Sequence, residues 1–203
     1  AQGLVPLTTA VPAFPADPGV QKIIDTYRAA AIPLAQRPVG QAQGAMRRQP
    51  NAALESVLGN LVADAQLLAT RAPEDGGAQL SFMNPGGLRA DLVPDEQGLV
   101  RYGQLYAVQP FGNQLVIKTF TGAQIRAVLE QQFASGGNTV QRPRVLSVSS
   151  GFSYRYDLSQ PAGARISHMV LNGAPVTDTQ SVRVVMSSFL DSGGDNFTVL
   201  TQG

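Results

Sequence analysis

The apolar positions of this chain change period along its length. Early on they keep helical spacing. Asp17-Pro18 has the form of an N-cap followed by proline at the first helical position, and Val20, Ile23, Ile24 and Tyr27 follow at steps of three and four. This helix is expected to fade near Ile32-Pro33, and residues 36–50, with Pro, Gly and Gln, read as extended or looped. Glu55 to Arg71 predicts a second helix with Leu58, Leu61, Val62, Ala65 and Leu68 on one face, ended by Pro73 and Gly76-Gly77. Thr121 N-caps a third, with Ile125, Val128, Leu129 and Phe133 as its stripe.

The remaining apolar runs are short and strand-like. They fall at 78–83, at 99–108 and 113–120 around the Gln109-Pro110-Phe111-Gly112 turn, and at 145–149, 152–157, 166–172, 181–187 and 197–200. Asn172-Gly173 has the residues of a two-residue hairpin turn. Helices come early and strands cluster late, with no βαβ period and no internal repeat. That order predicts an α+β fold with a mixed sheet. Residues 1–16, rich in Ala, Pro and Thr, read as a linker, and 17–203 as one domain without an internal boundary.

Composition narrows the function. The chain is 43% hydrophobic and 14% charged, a globular composition whose charged share lies below the roughly 25% usual for soluble domains. The net charge is +1, and of the 15 basic residues only Lys22 and Lys118 are lysines. The local basic runs, Arg47-Arg48 and Arg142-Pro143-Arg144, carry no interleaved aromatics, so a nucleic-acid polymer is not an expected partner. No apolar run reaches the roughly 18 residues of a membrane span. No basic stretch followed by an apolar run opens the chain, so a signal peptide is expected to be absent or removed. Cys is lacking and His168 is the single histidine, which leaves no D-x-H or H-x-x-x-H spacing from which to build a di-metal centre.

Three strand-end loops carry candidate chemistry: Asn84 to Arg89, Pro110 to Asn113, and Phe189 to Phe197. Gly86, Gly87, Gly193 and Gly194 let a backbone approach a ligand closely. Arg89 offers a planar fork for phosphate or carboxylate, Phe111 and Phe189 offer faces for a nucleobase, and Asp195 offers acceptors for a vicinal diol. Each also has a plain structural reading: turns, a solvated or paired arginine, core phenylalanines, a turn-forming aspartate. Spacing alone leaves both open.

The motifs together resemble one family. Glu55-Ser56-Val57-Leu58-Gly59-Asn60-Leu61-Val62-Ala63-Asp64-Ala65 is similar to the E-S-x-L-G-N-L-x-A-D-A helix of the 5′-nucleotidase C-terminal domain. Asn84-Pro85-Gly86-Gly87-Leu88-Arg89-Ala90-Asp91, Gln109-Pro110-Phe111-Gly112-Asn113, Thr121-Gly122-Ala123-Gln124-Ile125 and Phe189-Leu190-Asp191-Ser192-Gly193-Gly194-Asp195-Asn196-Phe197 resemble further motifs of that family, in family order. The resemblance implies a mixed β-sheet with hairpins packed against about three helices. It also implies a parent phosphohydrolase whose N-terminal metallophosphatase domain, absent from this chain, holds two divalent metals. This domain would bind no cofactor and turn over nothing alone.

By the same resemblance, Phe111 and Phe189 sandwich a nucleobase and Asp195 holds the ribose hydroxyls. Asn84, Arg89 and Asn113 make polar contacts, with Arg89 towards phosphate, and the Gly86-Gly87 and Gly193-Gly194 pairs give close approach. The expected partners are a nucleotide or nucleoside and the metal domain, and the expected location is periplasmic, secreted or cell-surface. Related architectures serve cyclic-nucleotide, UDP-sugar or sulfur-compound hydrolysis, and a non-catalytic binding module is a further alternative. Many family members carry Arg before E-S-x-L-G-N as a second phosphate contact. Here that position is Leu54, and Arg47 or Arg48 are the nearby substitutes.

Overall fold

The computed structural model describes residues 16–202, so most of the expected linker lies outside the described residues. Helix α1 spans Pro18–Ala35, with the Asp17 carboxylate accepting from Val20 N at 2.9 Å. It passes through Pro33, where the sequence suggests an end. The proline removes only its own donor, and the last turn still closes through Gln36 N to Ile32 O and Arg37 N to Leu34 O. The C-terminal end of α1 is fastened: Arg101 Nη1 donates to Gln36 O at 3.0 Å, and the Arg37 guanidinium lies 5.2 Å over the Tyr102 ring. No residue of α1 is buried, and Val20, Ile23, Ile24 and Tyr27 form an uncovered apolar stripe.

Strand β1 (Pro38–Gln41) pairs antiparallel with β3 (Leu99–Arg101). The strand expected at 99–108 stops at Arg101. Gln104 Oε1 accepts from Arg101 N at 2.7 Å and starts a short helix, α3 (Tyr102–Val108). The main sheet contains β2 (Leu80–Met83), β4 (Leu115–Thr121), β5 (Ser147–Val148) and β9 (Ser181–Ser187), in the order β4-β9-β2-β5. β2 and β9 run parallel, and the other neighbours are antiparallel, so the sheet is mixed as expected.

The sheet is covered on both faces. Helix α4 (Gly122–Glu130) is capped reciprocally by Thr121 and Gln124, and its expected stripe of Ile125, Val128, Leu129 and Phe133 is buried in the larger core with Leu80, Phe82, Val184 and Met186. Helix α2 (Val57–Leu68) covers the other face, capped by Ser56 Oγ. Its inward face matches the expected one at Leu58 and Val62 and departs from it elsewhere. Leu58, Gly59, Ala63 and Gln66 are buried, whereas Leu61 and Leu68 are 40% and 62% exposed. The reason is close approach: a Cβ on Gly59 would lie 2.0 Å from Ser147 Oγ, so small residues face the sheet. Gln66 tolerates burial because its amide oxygen accepts from Ser81 Oγ at 2.9 Å.

A separate three-stranded sheet holds β6 (Phe152–Tyr156), β7 (Ile166–Leu171) and β8 (Ala174–Pro175). β7 and β8 are joined at Asn172-Gly173, both at positive φ, as the hairpin reading requires. After β9 come a short helix, α5 (Ser188–Asp191), and 3₁₀ turns at Gly194–Asn196 and Thr198–Gln202. The strand expected at 197–200 is therefore helical. Phe197 and Leu200 are both fully buried, and a step of three places them on one side only in a helical backbone. The mixed α/β character matches expectation. The structure adds the short helices α3 and α5, and its strands fall into three sheets.

Two buried side chains tie the outer segments to α4. Gln132 Oε1 accepts from Leu146 N at 2.7 Å and from the Tyr154 hydroxyl at 3.1 Å. Burial pushes the Tyr154 phenol up to about 12, so it remains a donor at ordinary pH. Glu130 accepts from the backbone N–H groups of Gly163, Arg165 and Ile166 at 3.0, 2.6 and 2.8 Å. Replacing Glu130 by Ala strands these donors. The expected loss is about 3–5 kcal/mol of unfolding free energy, read as a lowered urea midpoint.

Candidate functional site

β2 and β9 run parallel, so their carboxyl ends emerge side by side. β4 is antiparallel to β9, with Leu115 opposite Ser187, so the segment before β4 arrives at the same edge. The three loops singled out in the sequence therefore converge, and they border a cleft of about 310 Å³. That size sits at the small end of the roughly 300–1,000 Å³ usual for ligand pockets.

The loop after β2 begins at Asn84, which is 4% exposed, and turns through Pro85–Gly87. Arg89 reaches back so that its Nη1 donates to Gly86 O at 3.2 Å. From the second loop, Phe111 and Asn113 line the cleft, and Ser188 N donates to Gln114 O to hold that loop against β9. Phe111 is 47% and Phe189 42% exposed, which rules out the reading of both as core residues. Two exposed aromatic rings bordering one concave site offer faces to a planar ligand.

The third loop is shaped by left-handed backbone. Gly193, Asp195 and Asn196 have φ of 83°, 55° and 68°. For the two non-glycine residues this conformation is unfavourable and is held from outside. Asn138 Nδ2 donates to Asp195 O at 2.8 Å, and Ser135 Oγ donates to Asn196 O at 2.7 Å. The Asp195 carboxylate then lines the cleft with both oxygens engaged. Asn84 Nδ2 donates to Oδ2 at 2.8 Å and Arg144 Nη1 to Oδ1 at 2.6 Å.

Asn84, Gly86, Gly87, Arg89, Phe111, Asn113, Phe189 and Asp195 all border the cleft; Gly193 and Gly194 do not. Gly194 acts from behind: a Cβ there would lie 2.5 Å from the Phe189 ring and from its carbonyl oxygen. Gln109 and Arg144 border the cleft as well and are not among the sequence candidates. Gln109 directly precedes the Pro110-Phe111-Gly112-Asn113 turn, and its place beside the candidate Phe111 is the signal that could have found it. Arg144 is visible in the sequence only as part of a surface basic run, and nothing local links it to a loop 51 residues away. Arg47 pairs with Asp91 at 3.2 Å and Arg48 donates to Leu88 O, and neither borders the cleft. Leu54 has φ of 60° and borders a separate recess of about 90 Å³.

Replacing Gly194 by Ala is expected to displace the Phe189 ring while the fold persists. The amide resonances of 189–196 should move, and those of the β6–β7–β8 sheet should stay, in a ¹⁵N–¹H spectrum.

The cleft can be set against known proteins. The family model described as "5'-nucleotidase, C-terminal domain" matches residues 38–202. A trifunctional nucleotide phosphoesterase protein, YfkN, of Bacillus subtilis is 32% identical over 73% of this chain, which spans 10% of that protein. A cell wall protein, Lmo0130, of Listeria monocytogenes is 35% identical over 71% of this chain and 18% of its own length. Among solved structures, a 5'-nucleotidase precursor from Thermus thermophilus superposes with a TM-score of 0.76 at 34% identity, covering 93% of this chain and 37% of that one. The chain thus spans well under half the length of these relatives. With the family model covering most of its length and these relatives more than 30% identical over about seven-tenths of it, this chain belongs to the 5′-nucleotidase C-terminal domain family.

Proposed function

We propose that this chain is the nucleoside-recognition part of a metal-dependent nucleotide phosphohydrolase. The carrying observation is that Phe111, Phe189 and Asp195 border one cleft at the joined ends of β2 and β9. Rings of that kind stack on any nucleobase, and a pinned carboxylate accepts from the ribose hydroxyls. Arg89, at the same cleft, addresses the phosphate end, Asn113 adds a polar contact, and Gly86 leaves room beside Asp195. The aromatic pair favours a base-bearing substrate over a small sulfur anion.

The donor set of this chain does not fit a di-metal centre. Its single His168 lies in β7 with Nδ1 3.0 Å from Ser167 Oγ, away from the cleft, and Asp195 is already engaged by Arg144 and Asn84. The metals, and the water attack on phosphorus they would support, belong in this reading to a preceding metallophosphatase domain. The length of the relatives supports such a domain. So does α1, which lies ahead of the segment the family model matches and exposes an apolar stripe that covers none of the described residues. The domain supplies positioning, which by itself lowers a barrier by several kcal/mol. A cell-surface or secreted setting is proposed from the relationship to the Listeria cell wall protein.

Calorimetric titration of adenosine into residues 1–203 should show saturable binding, weakened about 10- to 100-fold by Phe189→Ala, the size of one lost base stack. The same sample, loaded with divalent metal and free of contaminating phosphatase, should release no phosphate from AMP. Undetectable adenosine binding by the folded chain would remove the reading.

A further inference from the structure

We infer that Arg144 is a positioning residue that gives the cleft its preference for a ribose diol, by fixing the Asp195 carboxylate that accepts it. The inference rests on the nucleoside reading and goes beyond it.

Asp195 has a problem that its own loop does not solve. Its backbone is left-handed, and its carboxylate is the acidic side chain among the residues bordering the cleft. An acceptor for hydroxyls needs a fixed direction, and a free carboxylate would also repel an anionic nucleotide. Arg144 answers both. Its Nη1 lies 2.6 Å from Oδ1, while the buried Asn84 amide holds Oδ2 at 2.8 Å. A carboxylate has about four acceptor positions, so two such bonds orient it and leave capacity for a ligand's hydroxyls. The pair sits where charge matters, since the Asp195 side chain is 13% exposed.

The guanidinium comes from a fixed base. Arg144 N donates to Gln132 O at 3.0 Å, and Leu146 N donates to the buried Gln132 side chain. The segment then enters β5, which pairs with β2, the strand that carries Asn84 at its end. Both partners of the carboxylate are therefore set by adjacent strands. Arg89 does not compete for this role, because its own guanidinium is turned to Gly86 O.

The test uses the whole chain, with adenosine and 2′,3′-dideoxyadenosine titrated into wild type, Arg144→Gln and Arg144→Lys. Arg144 is 46% exposed at its side chain, so both replacements are expected to fold, and thermal melts verify it. Wild type should bind adenosine about tenfold tighter than the dideoxy compound, as for a charge-assisted hydrogen bond. Arg144→Gln should bring the two within about twofold, by weakening adenosine alone, and Arg144→Lys should fall between, since it keeps the charge without the planar fork. An unchanged ratio in Arg144→Gln, or a parallel loss of both ligands, would overturn the inference and leave the nucleoside reading standing. Failure of wild type to bind adenosine would remove both.

Discussion

The parallel pairing of β2 with β9 is the constraint on which the site depends. Leu80 stands beside Val184 and Ser81 beside Val185, in strands far apart in the chain. Parallel neighbours send their carboxyl ends the same way, so the Asn84 loop and the Phe189 loop leave the sheet together. An antiparallel pair would have put them at opposite ends. In open sheets, ligands commonly collect where the carboxyl ends of parallel strands meet. The remaining strands of the sheet serve this arrangement. β4 delivers Phe111 from one side, and β5 delivers Arg144 from the other.

Burial holds the pairing in place. β2 and the core of β9 are closed to solvent, with α4 packed on one face and α2 on the other. The sheet alternates accordingly: Leu80 and Phe82 enter the larger core, while Met83 joins Leu58 and Ala63 of α2. Rigid strands then carry polar latches at their ends. Asn84, Asn138 and Arg144, from three separate segments, all hold Asp195, two by its carboxylate and one by its carbonyl. Such a network is stable only when each member finds its partner, so the position of the Asp195 loop at the cleft depends on residues in distant segments.

Much of this was legible in the sequence, and the failures have physical causes. Strong periodicity with a cap, as in Thr121 and the Ile125–Val128–Leu129–Phe133 stripe, is enough to place α4 and its inward face. In α2 the inward face also carries Gly59 and Ala63, because close packing against Ser147 outweighs apolar size, so a reading based on large residues places Leu58 and Val62 inward as observed but wrongly adds Leu61 and Leu68. Residues 102–108 resemble a strand because their local pattern carries no strong helical stripe; the Gln104 side chain makes the cap there. The motifs were enough to gather Asn84, Gly86, Gly87, Arg89, Phe111, Asn113, Phe189 and Asp195 at one cleft, but Gly193 and Gly194, expected to give close approach to a ligand, lie outside it, and Gly194 seats Phe189 instead. Arg144 was not legible, since its significance comes only from a tertiary contact across the cleft.

Mapping adenosine onto the chain by ¹⁵N–¹H chemical-shift perturbation tests the central claim most directly. The account predicts saturable shifts confined to three segments, 84–89, 109–113 and 189–196, together with the Arg144 side chain, and still resonances in α1 and the β6–β7–β8 sheet. Shifts centred elsewhere, or none at concentrations where the folded chain is intact, would contradict the assignment of this cleft as the nucleoside site.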